Sequence, residues 1–328
     1  MPTSKSTSPK VGITLGDPSG IGPAIILNAL SKLKGRAKFL VIGDSWVFSK
    51  IQNFCLPAGE AGKIQNFNFL DLHNVSRKNF SFGKVKAEYG RASIEYLNKA
   101  LELIKKKEID CLVTCPISKE AINLAGYPWP GHTEYLAEHT RCKDFAMMLL
   151  NKQLKISLVT RHLALREVPL KLKKEDIYKT ILLTDIALKQ LFLIRNPRIV
   201  VCGLNPHASD NGLLGNEENR IIKPAIKHLM RSKVFVDGPL PSDVAIFKAS
   251  INRYDCVIAL YHDQALIPLK MQDASTGVNL TLGLPFVRTS PLHGTAFDIA
   301  GQPRLADPSS LIAAIQLAIK CTLNLKKA

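Results

Sequence analysis

The segment VGITLGDPSGIGPAIILNALSKL, residues 11–33, is the stretch that decides the fold class. Its apolar run from Val11 to Leu15 predicts a buried strand, and the stretch from Ile21 to Leu33 predicts a helix. The glycine-rich turn GDPSG connects the two within a few residues. A strand, a tight turn and a helix in this order begin a βαβ unit, so the segment predicts an α/β protein with a mostly parallel sheet.

The same alternation of short apolar runs and longer amphipathic stretches continues along the chain. Further strands are predicted at residues 39–42, 111–114, 156–160, 198–202 and 256–261. Further helices are predicted at residues 92–107, 174–194, 217–230 and 309–323. No internal repeat or low-complexity linker separates these elements, which favours two lobes of one interleaved chain over independent domains.

Composition narrows the class of protein. Of the 328 residues 46% are hydrophobic, enough to bury a core, and no apolar run approaches the roughly 18 residues of a membrane helix. The first ten residues contain no apolar secretory segment, so we expect a soluble, cytoplasmic protein. The seven cysteines include no CxxC pair, which favours reduced core thiols over disulfides or a zinc cluster.

Excess positive charge points to an acidic partner. The chain has 44 Lys and Arg residues against 27 Asp and Glu residues, a formal net charge of +17, and such a balance occurs in nucleic-acid-binding proteins. The lysines crowd presumed surfaces such as residues 105–107, without interleaved aromatic residues and without a zinc-finger or RNP pattern. We therefore expect no nucleic-acid partner, and a basic nucleic-acid-binding protein stays as a remote alternative.

Three histidines follow the ends of predicted strands. His162, His207 and His262 come after the strands that end near residues 160, 202 and 261. Ligands of open α/β sheets bind beyond the carboxyl ends of the strands, and three imidazoles with an open position suit a catalytic metal. Taken singly, each histidine is more often a hydrogen-bonding loop residue, so the residues alone leave both interpretations open. His73, His139 and His228 are expected to be surface histidines.

Two further clusters suit an anion. In AGYPWPGHTEYLA (residues 125–137), His132 and Thr133 stand at the start of a helix, where Thr133 could bind an anion or only cap the helix. In residues 269–310, Lys270, Asn279 and Arg288 suit a phosphate or a carboxylate. In so basic a chain, each cation alone could equally be a solvated surface charge.

The turn GDPSGIGP, residues 16–23, does not fit a common nucleotide-binding motif. After Gly20 and Gly22, Ile25 replaces the third glycine of GxGxxG, and the chain has no GxxxxGK[ST] loop. A dinucleotide would therefore be held in another way, although the turn can still direct helix N–H groups into a cleft.

Several longer motifs together resemble the 4-hydroxythreonine-4-phosphate dehydrogenase family of pyridoxal phosphate biosynthesis. They match from about Val11 to the C-terminus, in the family's order: GDPSGIGP (16–23), AGYPWPGHTEYLA (125–137), GLNPHASDNGLLGNEE (203–218), GPLPSD (238–243), YHDQALIPLK (261–270) and GVNLTLGLPFVRTSPLHGTAFDIAG (277–301). The resemblance implies a two-lobed α/β/α fold of the isocitrate and isopropylmalate dehydrogenase type, with a cleft between the lobes and no Rossmann glycine fingerprint.

The resemblance also implies a domain organisation. We expect a mobile tail at residues 1–10 and a discontinuous lobe, on the cofactor side, at residues 11–125 plus 275–328. The second lobe, residues 126–274, is expected to carry metal and substrate residues and the contacts of a homodimer.

The implied activity is the oxidation of 4-phosphooxy-L-threonine at its C3 hydroxyl by NAD, with NADP as the alternative, followed by decarboxylation to 3-amino-2-oxopropyl phosphate. The implied metal ligands are His162, His207 and His262, drawn from both subunits of a homodimer. One divalent ion, zinc, cobalt or magnesium, is expected per subunit. The implied substrate contacts are His132, Thr133, Lys270, Asn279 and Arg288.

The resemblance places the adenosine end of the cofactor at the loop His293, Gly294, Thr295 and Ala296. It makes Asp243 the candidate base, although Asp243 could equally be a turn-forming residue after Pro241 and Ser242. The chain departs from the family pattern at Ala24, where an acidic residue is usual, and at Val244, where a threonine is usual. The alternative is a related enzyme acting on 4-phospho-erythronate, 4-phospho-threonate or a dihydrodiol.

Overall fold

The computed structural model describes residues 8–33, 35–55, 67–229 and 233–327. Its strands are β1 (Lys10–Thr14), β2 (Lys38–Gly43), β3 (Phe67–Asp71), β4 (Cys111–Thr114), β5 (Ala146–Leu150), β6 (Lys155–Leu158), β7 (Arg198–Cys202), β8 (Phe235–Leu240), β9 (Cys256–Ala259), β10 (Val278–Leu282) and β11 (Val287–Pro291). Its helices are α1 (Gly22–Lys32), α2 (Ser45–Cys55), α3 (Ala87–Lys105), α4 (Lys119–Leu124), α5 (His132–His139), α6 (Val168–Lys171), α7 (Lys174–Gln190), α8 (Lys223–Leu229), α9 (Ser242–Ser250), α10 (His262–Asp273) and α11 (Ser309–Leu325). Short helical turns lie at Leu165–Glu167, Pro206–Gly212 and Glu218–Ile222.

The chain divides into two compact units. Unit 1 comprises Met1–Arg141 and Pro285–Leu323, and unit 2 comprises Cys142–Leu284 and Asn324–Ala328. The lobe boundaries expected from the sequence, near residues 125 and 275, lie before the boundaries of these units, which follow Arg141 and Leu284. Helix α5 belongs to unit 1, where the Tyr135 hydroxyl donates a hydrogen bond to Asn98 of α3. Strand β10 belongs to unit 2 because it pairs with β5.

Unit 1 is built on a parallel sheet. Its strand order is β3-β2-β1-β4-β11, and each neighbouring pair runs parallel. Strand β1 is buried from Val11 onward, as expected for a strand covered on both faces. At the start of α1, a Cβ atom on Gly22 would lie 2.0 Å from the carbonyl oxygen of Leu15. Glycine therefore allows the amino end of α1 to approach the carboxyl end of β1.

Unit 2 is built on a mixed sheet with the strand order β10-β5-β6-β9-β7-β8. The pairs β10–β5 and β5–β6 are antiparallel, whereas β6–β9, β9–β7 and β7–β8 are parallel. The carboxyl ends of β6, β9 and β7 therefore lie side by side at one edge of the sheet.

The predicted strands and helices are present, with shifted ends. The helix predicted at 217–230 is the turn Glu218–Ile222 followed by α8, and Met230 lies outside the described residues. Of the expected tail at residues 1–10, residues 1–7 lie outside the described residues, and Lys10 is the first residue of β1. Strands β3, β5, β8, β10 and β11 were not predicted. The polar residues of β11 and the Gly238–Pro239 pair of β8 interrupt the apolar pattern of their strands.

The cysteines whose side chains the structure describes lie mostly in the core. Cys111, Cys115, Cys202, Cys256 and Cys321 are buried thiols, and Cys142 is partly exposed. Burial raises the pKa of the Cys202 thiol to about 12, opposed by a hydrogen bond with Ser242, so this thiol stays protonated at neutral pH. Among the helices of the described residues, none combines the length and apolar character needed to cross a membrane.

Candidate active site

The three candidate metal ligands follow three adjacent parallel strands of unit 2. His162 lies just beyond β6, His207 lies in the turn after β7, and His262 is the first residue of α10, after β9. Because β9 pairs with both β6 and β7, the three chain segments leave the sheet at the same edge. The sequence did not predict α10, which begins directly after the Tyr261 position.

Two of the three histidines lie close together in a single chain. The rings of His162 and His262 have centroids 6.0 Å apart, so both can direct a nitrogen at one ion bound about 2 Å from each. In the described part of one chain, no three His, Cys, Asp or Glu side chains are arranged to hold a metal ion. One copy therefore does not assemble the complete ligand set predicted from the sequence.

The chemistry of the donor set nevertheless fits a metal. The Nδ1 atom of His262 lies 2.6 Å from Asp263 Oδ1, and the Nδ1 atom of His207 lies 3.2 Å from Asp210 Oδ2. A carboxylate at Nδ1 holds the proton there and leaves the Nε2 lone pair available, an arrangement common to metal-binding histidines. Both histidines can therefore serve as ligands through Nε2.

The turn that carries His207 has an unusual backbone. Five consecutive residues have positive φ angles, with values from 42° at Asp210 to 72° at Ser209, and none of them is glycine. For residues with a Cβ atom, the left-handed region costs roughly 1–2 kcal/mol each. Sequence reasoning missed this turn because the expected marker of left-handed backbone, glycine, is absent from residues 207–211. The surrounding contacts must stabilise it.

Two of the expected substrate residues, Arg288 and His132, lie near each other in unit 1. Arg288 on β11 is 1% exposed, and its Nη2 atom donates a hydrogen bond of 2.6 Å to Thr114 Oγ1. Burial lowers the pKa of Arg288 to about 10, and the charge of Glu134 opposes this shift. A guanidinium remains a cation at that value, and an anion bound beside it would stabilise the buried charge.

His132 adds a neutral imidazole to this arrangement. Burial, together with the charge of Arg288, holds the pKa of His132 well below its usual value, so the ring is uncharged at neutral pH. A hydrogen bond with the Cys115 backbone engages one side of the ring, while the buried Nε2 atom has no partner among the described residues. Nε2 can therefore accept a hydrogen bond from a bound substrate.

Thr133 lies beside His132, but it does not cap the helix. Helix α5 begins at His132, with Gly131 at the N-cap position and no side-chain cap. The alternative of Thr133 as the N-cap residue is therefore wrong. Thr133 is 4% exposed and lies in the first helical turn.

The other two expected substrate residues belong to unit 2. Lys270 lies in the last turn of α10 and is exposed to solvent. Asn279 lies on β10, and its buried Oδ1 atom has no hydrogen-bond partner among the described residues. These positions make Asn279 a candidate for contact with a ligand, whereas the position of Lys270 by itself does not distinguish a ligand contact from a surface charge.

The expected cofactor segment, residues 293–296, is joined to the glycine-rich turn of unit 1. The Ile21 N–H donates a hydrogen bond of 2.8 Å to the Thr295 carbonyl, and a Cβ atom on Gly20 would lie 3.2 Å from the same oxygen. The backbone of Ala296 has a φ of 44°, and His293 is exposed. The turn that fails the Rossmann motif thus contacts the segment proposed for the adenosine group.

The candidate base, Asp243, lies in the first turn of α9. It lines an open cavity of about 320 Å³ in unit 2 together with Tyr261, Asp263 and Gln264. Because Asp263 contacts His262, this cavity adjoins the candidate metal ligands.

Asp17, in the GDPSG turn, is a buried carboxyl that sequence reasoning did not single out. It is fully buried, and burial raises its pKa to about 6 against opposing hydrogen bonds from the Ser19 N–H and hydroxyl. Its Oδ2 atom has no partner among the described residues. An aspartate next to glycine and proline is usually explained as a turn residue, so the sequence carries no signal of this burial.

Replacing Asp17 by asparagine is expected to stabilise the protein increasingly as the pH rises. The folded-state pKa of about 6 lies above the value of about 3.9 in an unfolded chain, so ionisation of Asp17 opposes folding. This penalty is absent below the unfolded pKa and complete above the folded pKa. Denaturant unfolding between pH 4 and pH 7 should give the Asp17→Asn protein a relative gain of about 1–3 kcal/mol. The control is Asp307→Asn, because a hydrogen bond from Ser309 lowers the pKa of Asp307. A difference between wild type and Asp17→Asn that does not change with pH would contradict the prediction.

Comparison with known proteins identifies the family. The family model described as "Pyridoxal phosphate biosynthetic protein PdxA" matches residues 29–318. A 4-hydroxythreonine-4-phosphate dehydrogenase from Sulfurihydrogenibium sp. is 44% identical over 319 residues, covering 94% of this chain and 97% of that protein. The chain belongs to the PdxA family. The resemblance that the sequence motifs suggested is thereby confirmed.

Another similar PdxA-family relative carries a different name. A D-threonate 4-phosphate dehydrogenase from Salmonella typhimurium is 40% identical over 323 residues, covering 94% of this chain and 98% of that protein. Both relatives are dehydrogenases, and their sequence identities to this chain, 44% and 40%, are similar. Membership of the PdxA family therefore establishes a dehydrogenase family of pyridoxal phosphate biosynthesis without selecting the substrate.

A solved PdxA-family structure confirms the α/β fold class. The crystal structure of 4-hydroxythreonine-4-phosphate dehydrogenase from Klebsiella pneumoniae superposes with a TM-score of 0.86 at 35% identity, covering 97% of this chain and 99% of that one. The match covers nearly the whole of both chains, so the elements that carry the candidate active site belong to the shared fold.

Proposed function

We propose that the protein oxidises 4-phosphooxy-L-threonine at its C3 hydroxyl in a reaction that depends on NAD and a divalent metal. The resulting 3-oxo acid loses CO2 and gives 3-amino-2-oxopropyl phosphate, a step towards pyridoxine 5'-phosphate. The observation that carries the proposal is the placement of His162, His207 and His262 after three adjacent parallel strands. It occurs in a chain 44% identical to a 4-hydroxythreonine-4-phosphate dehydrogenase.

The reaction makes defined demands on the protein. A hydride and a proton leave the C3 carbinol, and then the C1–C2 bond breaks so that C1 departs as CO2 and C2 takes up a proton. When bound, the metal would polarise the C3 oxygen and stabilise negative charge there, and the nicotinamide would accept the hydride. The protein must therefore hold the phosphorylated substrate, accept the hydroxyl proton and exclude water.

Arg288 is proposed to hold an anionic group of the substrate, and His132 is proposed to bind an O–H or N–H donor of the substrate. The buried guanidinium of Arg288 can bind a phosphate or carboxylate through two N–H groups, and neutral His132 can accept a hydrogen bond at Nε2. Thr133, Lys270 and Asn279 are proposed as the remaining substrate contacts. Asp243, which lines the cavity beside His262, is proposed as the group that accepts the hydroxyl proton.

The metal site is proposed to form between two copies of the chain. One copy brings His162 and His262 together, and the third ligand, His207, would come into place when a second copy binds. Apolar side chains on α9 and α10 support a homodimer, since Phe247 is 63% exposed, Ile267 is 58% exposed and Met271 is 82% exposed. Imidazole ligands suit zinc or cobalt, and magnesium stays an alternative because the substrate can supply oxygen ligands.

The proposed cofactor is NAD, with NADP as the alternative, and the segment His293, Gly294, Thr295 and Ala296 would hold its adenosine end. The contact of this segment with the glycine-rich turn supports the assignment. We also propose that the enzyme acts in the cytoplasm, which the free buried thiols of Cys115, Cys202 and Cys256 support.

A second candidate substrate is D-threonate 4-phosphate. The 40% identical Salmonella typhimurium relative favours it, and the buried Arg288 would bind its phosphate or its carboxylate equally well. The two substrates differ at C2, where one carries an amino group and the other a hydroxyl group. A dihydrodiol lacks the phosphate that the Arg288 arrangement suits, and is the weaker alternative.

A substrate panel tests the proposal. The full-length protein, loaded with Co2+, is assayed for NADH formation with 4-phosphooxy-L-threonine, D-threonate 4-phosphate and D-erythronate 4-phosphate. We expect the first to have the highest kcat/KM, by about tenfold or more. A higher kcat/KM with D-threonate 4-phosphate would transfer the assignment to the second candidate.

A further inference from the structure

We propose that Glu218 is a positioning residue that holds the turn carrying His207 in the geometry required for metal binding. This inference rests on the proposed function, because it takes His207 to be a metal ligand. Glu218 is 0% exposed and begins the helical turn Glu218–Ile222, eleven residues after His207 in the chain. It is neither one of the candidate ligands nor one of the proposed substrate residues.

The contacts of Glu218 are concentrated on the residues where the chain leaves β7. Its Oε1 atom accepts hydrogen bonds of 2.8 Å from the backbone N–H groups of Leu204 and Asn205. Its Oε2 atom accepts a bond of 2.9 Å from the Asn205 Nδ2 atom. A buried carboxylate that accepts several N–H donors fixes their directions, because each lost bond would leave a buried carboxylate oxygen with one partner fewer.

These bonds fix the entry to the left-handed turn. The Ala208 N–H donates a bond of 3.2 Å to the Asn205 carbonyl, so the orientation of Asn205 is passed on to the residues around His207. The approach is close, since a Cβ atom on Gly203 would lie 2.9 Å from the Ala208 Cα atom and 3.3 Å from Glu218 Oε1. Five residues with positive φ angles follow, and without outside support such a backbone would relax.

The same turn is connected to the element that carries His262. Gln264 on α10 donates a bond of 2.9 Å from its Nε2 atom to the Gly203 carbonyl. The segment that leads to His207 and the helix that carries His262 therefore contact each other at the Gly203 carbonyl. The hydrogen bonds of Glu218 to the Leu204 and Asn205 N–H groups then fix the backbone between Gly203 and His207. A ligand displaced by about 1 Å binds its metal poorly, so the carboxylate should affect metal affinity without touching the ion.

The neighbouring Glu217 gives the inference a distinctive test. Asn205 Nδ2 donates to both Glu218 Oε2 and Glu217 Oε2, the second bond being 2.8 Å long. In the Glu218→Gln variant the new amide faces the Asn205 amide donor to donor. If Asn205 turns its amide over, its oxygen then faces the Glu217 carboxylate. One repulsive contact remains in either orientation.

A double-mutant cycle measures this coupling. If Glu217 is also replaced by glutamine, a turned Asn205 can accept hydrogen bonds from both new amides. The Asn216 N–H, which donates an exposed bond of 3.0 Å to Glu217 Oε2, would then be hydrated by solvent. The variants are Glu218→Gln, Glu217→Gln and Glu217→Gln/Glu218→Gln, with His207→Ala as the reference and Asp185→Asn, another buried carboxylate of unit 2, as the control. Each full-length protein is stripped of metal, and its affinity for Co2+ alone is measured by titration. Hydrogen exchange of the Leu204 and Asn205 amides is measured on the metal-free proteins.

We expect Glu218→Gln to weaken Co2+ binding by about 10–100-fold and to speed exchange at the two amides. The double variant should regain part of this loss, and Asp185→Asn should bind as the wild type does. If Glu218→Gln does not fold, Asn205→Ala replaces it and should weaken binding by a smaller factor. If Glu218→Gln, or Asn205→Ala in its place, binds Co2+ as tightly as the wild type while His207→Ala does not bind it, the inference about Glu218 is overturned and the proposed ligand set is retained. Wild-type affinity in His207→Ala would overturn the ligand set of the proposed function, and the inference with it.

Discussion

Alanine in place of His262 is expected to remove the bound metal and to lower kcat by about a thousandfold, since a metal supplies several kcal/mol of charge stabilisation. The reason is structural. His262 is the first residue of α10, its ring lies 6.0 Å from that of His162, and its Nδ1 atom is held by Asp263. Metal content is measured by elemental analysis after dialysis, and kcat with excess Co2+.

His228→Ala is the matched control. His228 lies on α8 and packs edge-on against Tyr178, with ring centroids 4.8 Å apart, so its loss should leave metal content and kcat unchanged. Full metal content in the His262→Ala protein would contradict the assignment of this residue as a ligand. A fall in kcat of the His262→Ala protein without loss of metal would show that His262 contributes to the reaction in a way other than metal binding.

Alanine in place of Arg288 is expected to raise the KM for a phosphorylated substrate by about a hundredfold or more. Removing one partner of a buried charge pair costs about 2–5 kcal/mol, and Arg288 is 1% exposed. Because a basic group with a pKa of about 10 is charged at every pH of the assay, the loss should not depend on pH between 6 and 8. The KM is measured by initial rates of NADH formation.

Anion binding provides a readout of Arg288 that does not depend on turnover. Inorganic phosphate should raise the Tm of the wild-type protein, and should not raise that of the Arg288→Ala protein. Arg91→Ala, which removes an exposed arginine of α3, should respond to phosphate as the wild type does. Equal shifts of Tm by phosphate in all of these proteins would contradict the placement of the anion at Arg288.

The sequence was sufficient to place the three histidines at one edge of a sheet. Strands β6, β7 and β9 are buried short apolar runs, and each is followed at once by polar residues. Because the carboxyl ends of neighbouring parallel strands share an edge, finding the strands was enough to predict that the loops converge. The order β6-β9-β7 could not be predicted, because strand order depends on packing between residues far apart in the chain.

The sequence did not predict the elements whose local pattern is overridden by tertiary contacts. Residues 207–211 adopt the left-handed conformation without a glycine, and the hydrogen bonds that stabilise the turn come from Glu218, which in the sequence is one acidic residue of a polar segment. Arg288 lies in a strand with polar residues, and only the structure distinguishes its buried guanidinium from a surface charge. In both cases burial decides the role, and burial is a property of the whole fold.

The most direct test of the central claim is the stoichiometry of the reaction. The metal-loaded protein is given limiting 4-phosphooxy-L-threonine and excess NAD, and NADH, CO2 and 3-amino-2-oxopropyl phosphate are measured in the same sample. The proposed function predicts equal amounts of all three products, and none after the metal is removed with a chelator. Formation of NADH without CO2, or an unchanged yield in the chelated protein, would contradict a metal-dependent oxidative decarboxylation.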